Sequence, residues 1–263
     1  MRRKRDLFST VFWMITAVMV SFLLVLFSGL LFYGDAQTMV SILKHPEFRF
    51  ALALTLQTSI VATLMATVVA VPCGYLLARR NFPGKLLVDS LLELPIVLPP
   101  LVSGVALLIF FGPLFGPNFR EAGIEVVFTH VGVVVAQWFV AVPFAIRSFR
   151  HAFESVDPRL EKVARTLGCT PLQSFWRVLL PIARRGILGG MTMTWARTLG
   201  EFGATAMLAG VTRFKTETLP VAIYLSMTNG DLAFSLSIAA LLLFMALSIL
   251  TAFKMLTQTE VQL

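Results

Sequence analysis

The sequence predicts an all-α membrane protein of six transmembrane helices with both termini in the cytoplasm. Three observations carry that expectation. Of 263 residues, 57% are hydrophobic and 14% charged, against about 45–50% and about 25% in an ordinary soluble domain. The apolar residues gather in six stretches near the ~20 residues that a hydrocarbon-spanning helix needs. The Lys and Arg residues divide 16 to 5 between the two sides of those stretches, as the positive-inside rule requires. The composition argues against a soluble enzyme and against a disordered chain.

The first stretch, 7–33, follows the basic run Arg2-Arg3-Lys4-Arg5. It is longer than a signal-peptide core of about 7–15 residues and no A-x-A-like site closes it, so it reads as an uncleaved span with its basic end inside. The second, 50–78, contains Pro72 and ends at Arg79-Arg80. The third, 86–112, carries Pro95, Pro99 and Pro100, followed by Ser103-Gly104. That pattern marks a helix broken mid-membrane, where irregular backbone lines a cavity. Asp89 and Glu93, four apart at its start, are expected to pair with Arg79, Arg80 or Lys85. The fourth, 128–146, contains Pro143 and ends at Arg147. The fifth is 186–210 and the sixth 232–253.

With the N-terminus inside, the cytoplasmic segments are 1–6, 79–85, 147–185 and 254–263. They hold the 16 basic residues, eight of them on 147–185. The outer loops 34–49, 113–127 and 211–231 hold five, and Arg197 alone lies within a span. The net charge of +8 and pI of about 10.1 would raise nucleic acid as a partner in a soluble protein. Charges clustered at span ends disfavour that reading. Cys73 and Cys169 form no disulfide framework. His45, His130 and His151 have no ligand spacing, so no metal site is expected. No G-x-x-x-x-G-K-[ST] phosphate loop occurs.

Polar groups inside spans are candidates for a translocation path. At 100° per residue, Thr194, Arg197, Thr198, Glu201 and Thr205 fall within a sector of about 100°. A charge at the bilayer centre costs about 2.5–3.5 kcal/mol on insertion scales, so Arg197 and Glu201 should face the bundle interior. They can lock the helix as an i,i+4 pair, line the path, or do both. Thr55, Thr58 and Ser59 share one face near the outer end of the second span; Ser103 sits at the break in the third. Hydroxyls also bind helices to one another in membranes, and that alternative stays open for Thr55, Thr58 and Ser59.

The connection 147–185 is punctuated for two short helices. Asp157 is an N-cap before Pro158, Gly168 a C′ residue, and Thr170 a second N-cap before Pro171. The first helix gathers Leu160, Val163, Ala164 and Leu167 on one face, the second Leu172, Phe175, Trp176 and Leu179. Such helices lie on the membrane surface or dock in a partner's groove.

Lys162-Val163-Ala164, Gly168, Val178, Leu180 and Pro181 resemble the EAA motif of ABC importer permeases: Glu-Ala-Ala, three residues, Gly, nine residues, Ile, one residue, Leu-Pro. The spacing is kept. Lys162 stands where the motif has Glu, with Glu161 before it, and Val163 stands for the first Ala. The stretches 80–100, 196–204 and 218–224 resemble the molybdate, tungstate and sulfate branch of that family. The likeness covers about residues 50–250.

The resemblance implies the type I ABC importer architecture, with the whole chain as one transmembrane domain in a bacterial or archaeal cytoplasmic membrane. It implies a permease homodimer, two copies of an ABC ATPase subunit that carry ATP and Mg, and an extracytoplasmic oxyanion-binding protein. Glu161–Gly168 would dock on the ATPase. The cargo would be molybdate, with tungstate or sulfate/thiosulfate as the alternatives. An ion-coupled secondary transporter is the reading from a different class; it would show an internal repeat or an embedded ion site, and neither is evident.

Overall fold

The computed structural model describes residues 7–33 and 41–258, and no strand occurs among them. The basic run Arg2-Arg3-Lys4-Arg5 and residues 34–40 and 259–263 lie outside the described residues, so the expected sidedness of the two ends is not visible in it.

Helix α1 (Leu7–Tyr33) lies outside the packed body and touches the last helix. Its apolar side chains are open, Phe8 at 72% and Trp13 at 73% exposure. Helix α2 (Pro46–Arg79) has 34 residues. It starts four residues before the expected 50, because Pro46 suits a first helical position and charged residues interrupt a span without interrupting a helix. Helices α3 (Lys85–Val97) and α4 (Pro100–Ile109) meet at a 109° bend. The third stretch is therefore broken at Leu98-Pro99, where the residues before each proline are held extended. A wide turn (Phe110–Leu114) and α5 (Gly116–Glu121) follow.

Helix α6 (His130–Glu154) is capped by Thr129, whose side chain accepts from the Gly132 N–H. It continues past Arg147, where the apolar stretch ends. Arg150 supports that polar extension with an i,i+4 bond of 2.8 Å to Glu154. Helices α7 (Pro158–Thr166) and α8 (Pro171–Ser174) form the basic connection. A π turn (Phe175–Leu179) joins α8 to α9 (Leu180–Leu199) without interruption. Pro181 has no N–H to offer the preceding turn and its ring crowds that turn's carbonyl, which accounts for the widening.

The second helix of the connection is thus the start of α9, not a separate surface helix. The fifth stretch is not one helix either: α9 ends at Leu199, and α10 (Gly203–Leu208) begins after a break at 200–202. Helices α11 (Leu219–Thr228) and α12 (Leu232–Gln258) complete the fold. Among the described residues, α1, α2, α6 and α12 are long and apolar enough to cross a membrane, and the bent α3–α4 pair makes a fifth.

The centre of the body is α2, α6 and α9. Ala66, Ala70, Leu77, Ala145, Phe149, Phe153 and Leu179 form one buried apolar cluster there. Small residues let the backbones close in. A Cβ on Gly74 of α2 would lie 3.0 Å from Arg150 N, and one on Gly190 of α9 would lie 2.7 Å from Ser148 Cβ. A second cluster joins α4, α6 and α10 through Leu107, Val140 and Leu208. A third joins α2, α11 and α12 through Phe48, Leu219 and Ile238.

Candidate functional site

The basic connection is built as its residue types dictate. Asp157 Oδ1 accepts from the Arg159 N–H at 2.8 Å, which caps α7. Gly168 closes it at φ 93°, a left-handed conformation that glycine adopts without strain. The Cys169 N–H donates back to Ala164 O at 3.1 Å. Thr170 and Gln173 then form a reciprocal capping box with bonds of 2.9 and 3.2 Å.

Of the EAA-like residues, Glu161 and Ala164 turn inward, each 8% exposed. Lys162, Val163, Gly168 and Pro181 are exposed, while Val178 and Leu180 are half-buried. The expected apolar face does form, but most of it is uncovered: Leu160, Val163 and Leu167 are exposed, as are Leu172 and Trp176 beside them. Phe175 and Leu179 turn into the core instead.

Glu161 anchors α7 to α2. Its Oε1 accepts from Arg79 Nε at 2.7 Å. Its Oε2 lies 3.4 Å from the Tyr75 hydroxyl. Arg79 Nη2 donates to Val156 O at 2.8 Å, and Ser174 Oγ donates to Glu161 O at 3.3 Å. The two charged side chains are 9% and 11% exposed. Asp89, expected to pair with Arg79, Arg80 or Lys85, pairs instead with Arg150 at 2.6 Å. Arg79 is already engaged by Glu161, and α3 packs on α6, which presents Arg150 to it.

The hydroxyls of α2 join helices. Thr55 Oγ1 accepts from the Leu219 N–H of α11 at 2.8 Å. Ser59 Oγ accepts from Trp195 Nε1 of α9 at 2.9 Å. Thr63 Oγ1 lies 3.3 Å from Thr198 Oγ1. Thr58 bonds within its own helix, to Leu54 O at 2.8 Å, as Thr194 does to Gly190 O.

Arg197 and Glu201 do pair, Nη2 to Oε2 at 2.7 Å, with Glu201 almost fully buried and Arg197 about a quarter exposed. Glu201 stands in the break rather than on the helix face. Its second oxygen accepts from the Ala204 N–H at 2.9 Å and satisfies the start of α10. Thr205 lies on α10, so the expected single stripe is split between two helices. Ser103 and Thr205 are buried with hydroxyls that have no hydrogen-bond partner among the described residues.

Gln137 on α6 is buried with its amide likewise unpartnered; it was legible as the one amide in the stretch 128–146. The roles of Arg79, Trp195 and Glu217 had no local signal.

At the opposite end of α2, two carboxyl groups meet. Glu47 is 6% exposed and Glu217 fully buried. Glu217 Oε2 accepts from the Phe214 N–H at 2.9 Å. Arg213 Nε lies 3.3 Å from Glu47 Oε1, close enough for an ion pair but without hydrogen-bond alignment. Burial pushes the Glu217 carboxyl up to about 7; the Phe214 N–H opposes this, and the adjacent Glu47 carboxyl adds to it.

Residues 70–258 match the model of the family described as binding-protein-dependent transport system inner membrane component. The chain is 39% identical over 203 residues to the molybdenum transport system permease protein ModB of Mycobacterium tuberculosis, covering 75% of this chain and 76% of that protein. It is 33% identical over 211 residues to the sulfate transport system permease protein CysT of Salmonella typhimurium, covering 80% and 76%.

Among solved structures, a bacterial ABC transporter that imports the acidic polysaccharide alginate aligns at a TM-score of 0.74 and 16% identity, covering 95% of both chains. The MetNI methionine ABC transporter aligns at 0.61 and 20%, covering 80% and 94%. At such identities these two likenesses concern the fold.

Proposed function

Since this chain belongs to the family of binding-protein-dependent transport system inner membrane components, we propose that it is the permease of an oxyanion importer whose cargo is molybdate. Tungstate and sulfate are the competing cargoes. The relatives named for molybdenum and for sulfate have similar identities to this chain, and the stretches 80–100, 196–204 and 218–224 resemble those of the branch that handles these anions.

In this reading six spans cross the inner membrane: α1, α2, the bent α3–α4, α6, α9 with α10, and α12. Both termini and the α7–α8 connection lie inside, on the side of the 16 basic residues. Two copies of the chain form the pathway. Two ATPase subunits bind ATP and Mg and drive the cycle. An extracytoplasmic binding protein selects the anion and delivers it to the outer loops.

The observation that carries the proposal is the uncovered apolar face of α7. Leu160, Val163 and Leu167 form one exposed apolar stripe on a short, doubly capped helix whose other exposed face carries Lys162 and Arg165. Apolar anchors on a short capped helix suit insertion into a groove, and the basic residues on its other face favour the aqueous side of the membrane. ATP-driven closure of the ATPase pair moves these helices, and rigid-body rocking turns the pathway from one side to the other. Thr55, Thr58, Ser59, Ser103, Thr194, Arg197, Thr198, Glu201 and Thr205 border that pathway or hold its walls. Glu201 neutralises Arg197, so the pair gives the anion no strong resting site, which suits passage.

The test is reconstitution in proteoliposomes with the ATPase and binding protein encoded alongside. Uptake of molybdate that requires ATP is expected. Preference for sulfate would reassign the cargo, and uptake driven by an ion gradient without ATP would overturn the importer reading.

A further inference from the structure

We propose that Arg79 is a positioning residue that makes α2 and α9 move as one body when α7 is displaced. This deepens the importer reading above and rests on it.

Glu161 and Ala164 are the buried residues of α7. Ala164 offers a single methyl group, so the helix takes its orientation from Glu161. Arg79 grips that carboxylate through Nε and grips Val156 O, in the turn before α7, through Nη2. A guanidinium is planar and presents its donors in a fixed fork. Two acceptors bound to one fork keep their relative positions, so the turn and the helix are held to α2 together. Tyr75, one turn earlier on α2, faces the other oxygen of the same carboxylate.

The chain already ties α7 to α9, since α8 runs into α9 through the π turn. With that covalent route alone, a push on α7 would move α9 past α2. The polar contacts between those helices, Ser59 with Trp195 and Thr63 with Thr198, would then shear. Arg79 supplies the second route. A rigid α2 of 34 residues, at about 1.5 Å per residue, reaches about 50 Å. Motion at Arg79 is thereby delivered to Ser59, Thr63 and the Thr55 bond to α11.

The experiment measures molybdate uptake and ATP hydrolysis in parallel on the reconstituted complex, with tungstate and sulfate as parallel cargoes. Arg79→Ala should keep the ATPase subunit bound and hydrolysis running, while uptake per ATP falls about tenfold, matching the loss of a charge-assisted bond. Arg79→Lys should fall between, because a point charge cannot hold both acceptors. Should Arg79→Ala fold poorly, Glu161→Gln keeps the side-chain shape and should still lower the ratio.

An unchanged uptake per ATP in Arg79→Ala or Glu161→Gln would overturn the proposal. Wild-type protein that shows no ATP-dependent uptake of any of the three anions would instead overturn the functional reading itself.

Discussion

The two ends of α2 are held by opposite electrostatic arrangements. At Arg79 a buried guanidinium meets a buried carboxylate at 2.7 Å. At Glu47 a buried carboxyl meets another carboxyl, Glu217, with Arg213 offset at 3.3 Å. The first pair is complementary, a donor fork against an acceptor carboxylate. The second sets a carboxyl beside a carboxyl, and burial together with that neighbour pushes Glu217 up to about 7. One end is thus a fixed joint and the other a joint whose strength depends on pH. A helix tied in this way passes on force from the Arg79 end whatever the proton supply at the far end.

The largest expected effect breaks the rod between the two joints. Gly74→Leu would drive a side chain into Arg150 N and Phe149, where a Cβ already has 3.0–3.3 Å. Overpacking costs about 1–3 kcal/mol or more. A lower thermal midpoint and a loss of monodisperse protein in detergent are expected; an unchanged midpoint would show that α2 and α6 do not meet so closely.

Next in size, Glu161→Ala leaves Arg79 buried without its carboxylate. A loss of about 1–3 kcal/mol is expected, read by thermal or denaturant unfolding.

Glu217→Gln probes the other joint and should act with the opposite sign. The folded Glu217 carboxyl titrates near 7 against an ordinary 4.5, so the native state binds the proton more tightly. Wild-type stability should therefore fall as pH rises from about 4.5 to about 7 and level off above. The variant should lose that slope and be the more stable of the two at pH 8. A pH series of thermal midpoints decides it, and a variant that tracks wild type would remove Glu217 as the titrating group.

Smallest is Thr63→Val, which removes the 3.3 Å contact with Thr198. Polar contacts between membrane helices average about 0.6 kcal/mol, so a midpoint shift near the limit of detection is expected. A large loss would mean that the middle of α2, rather than its ends, holds it in place.

The features readable from sequence were local ones. The caps at Asp157 and Thr170, the glycine at 168 and the break at Pro99 each depend on residues within a few positions, and all appear in the structure. The fifth stretch misled because hydropathy does not register a break. Glu201 and Gly200 interrupt the helix while the apolar run continues. The exposed face of α7 was legible as a periodicity, but whether it would be covered was not. Asp89 had basic neighbours in sequence and took Arg150, 61 positions away.

The sequence by itself determined that this chain carries membrane-crossing helices and where the α7–α8 connection turns. Transfer free energy and capping act residue by residue, so composition and short spacing express them. Tertiary structure alone decided that Arg79 holds Glu161, 82 positions away, and that Glu217 is buried against Glu47. Those partnerships arise only when α2 lies against α6 and α9 at one end and against α11 at the other, and no local pattern records which charge will be carried to which.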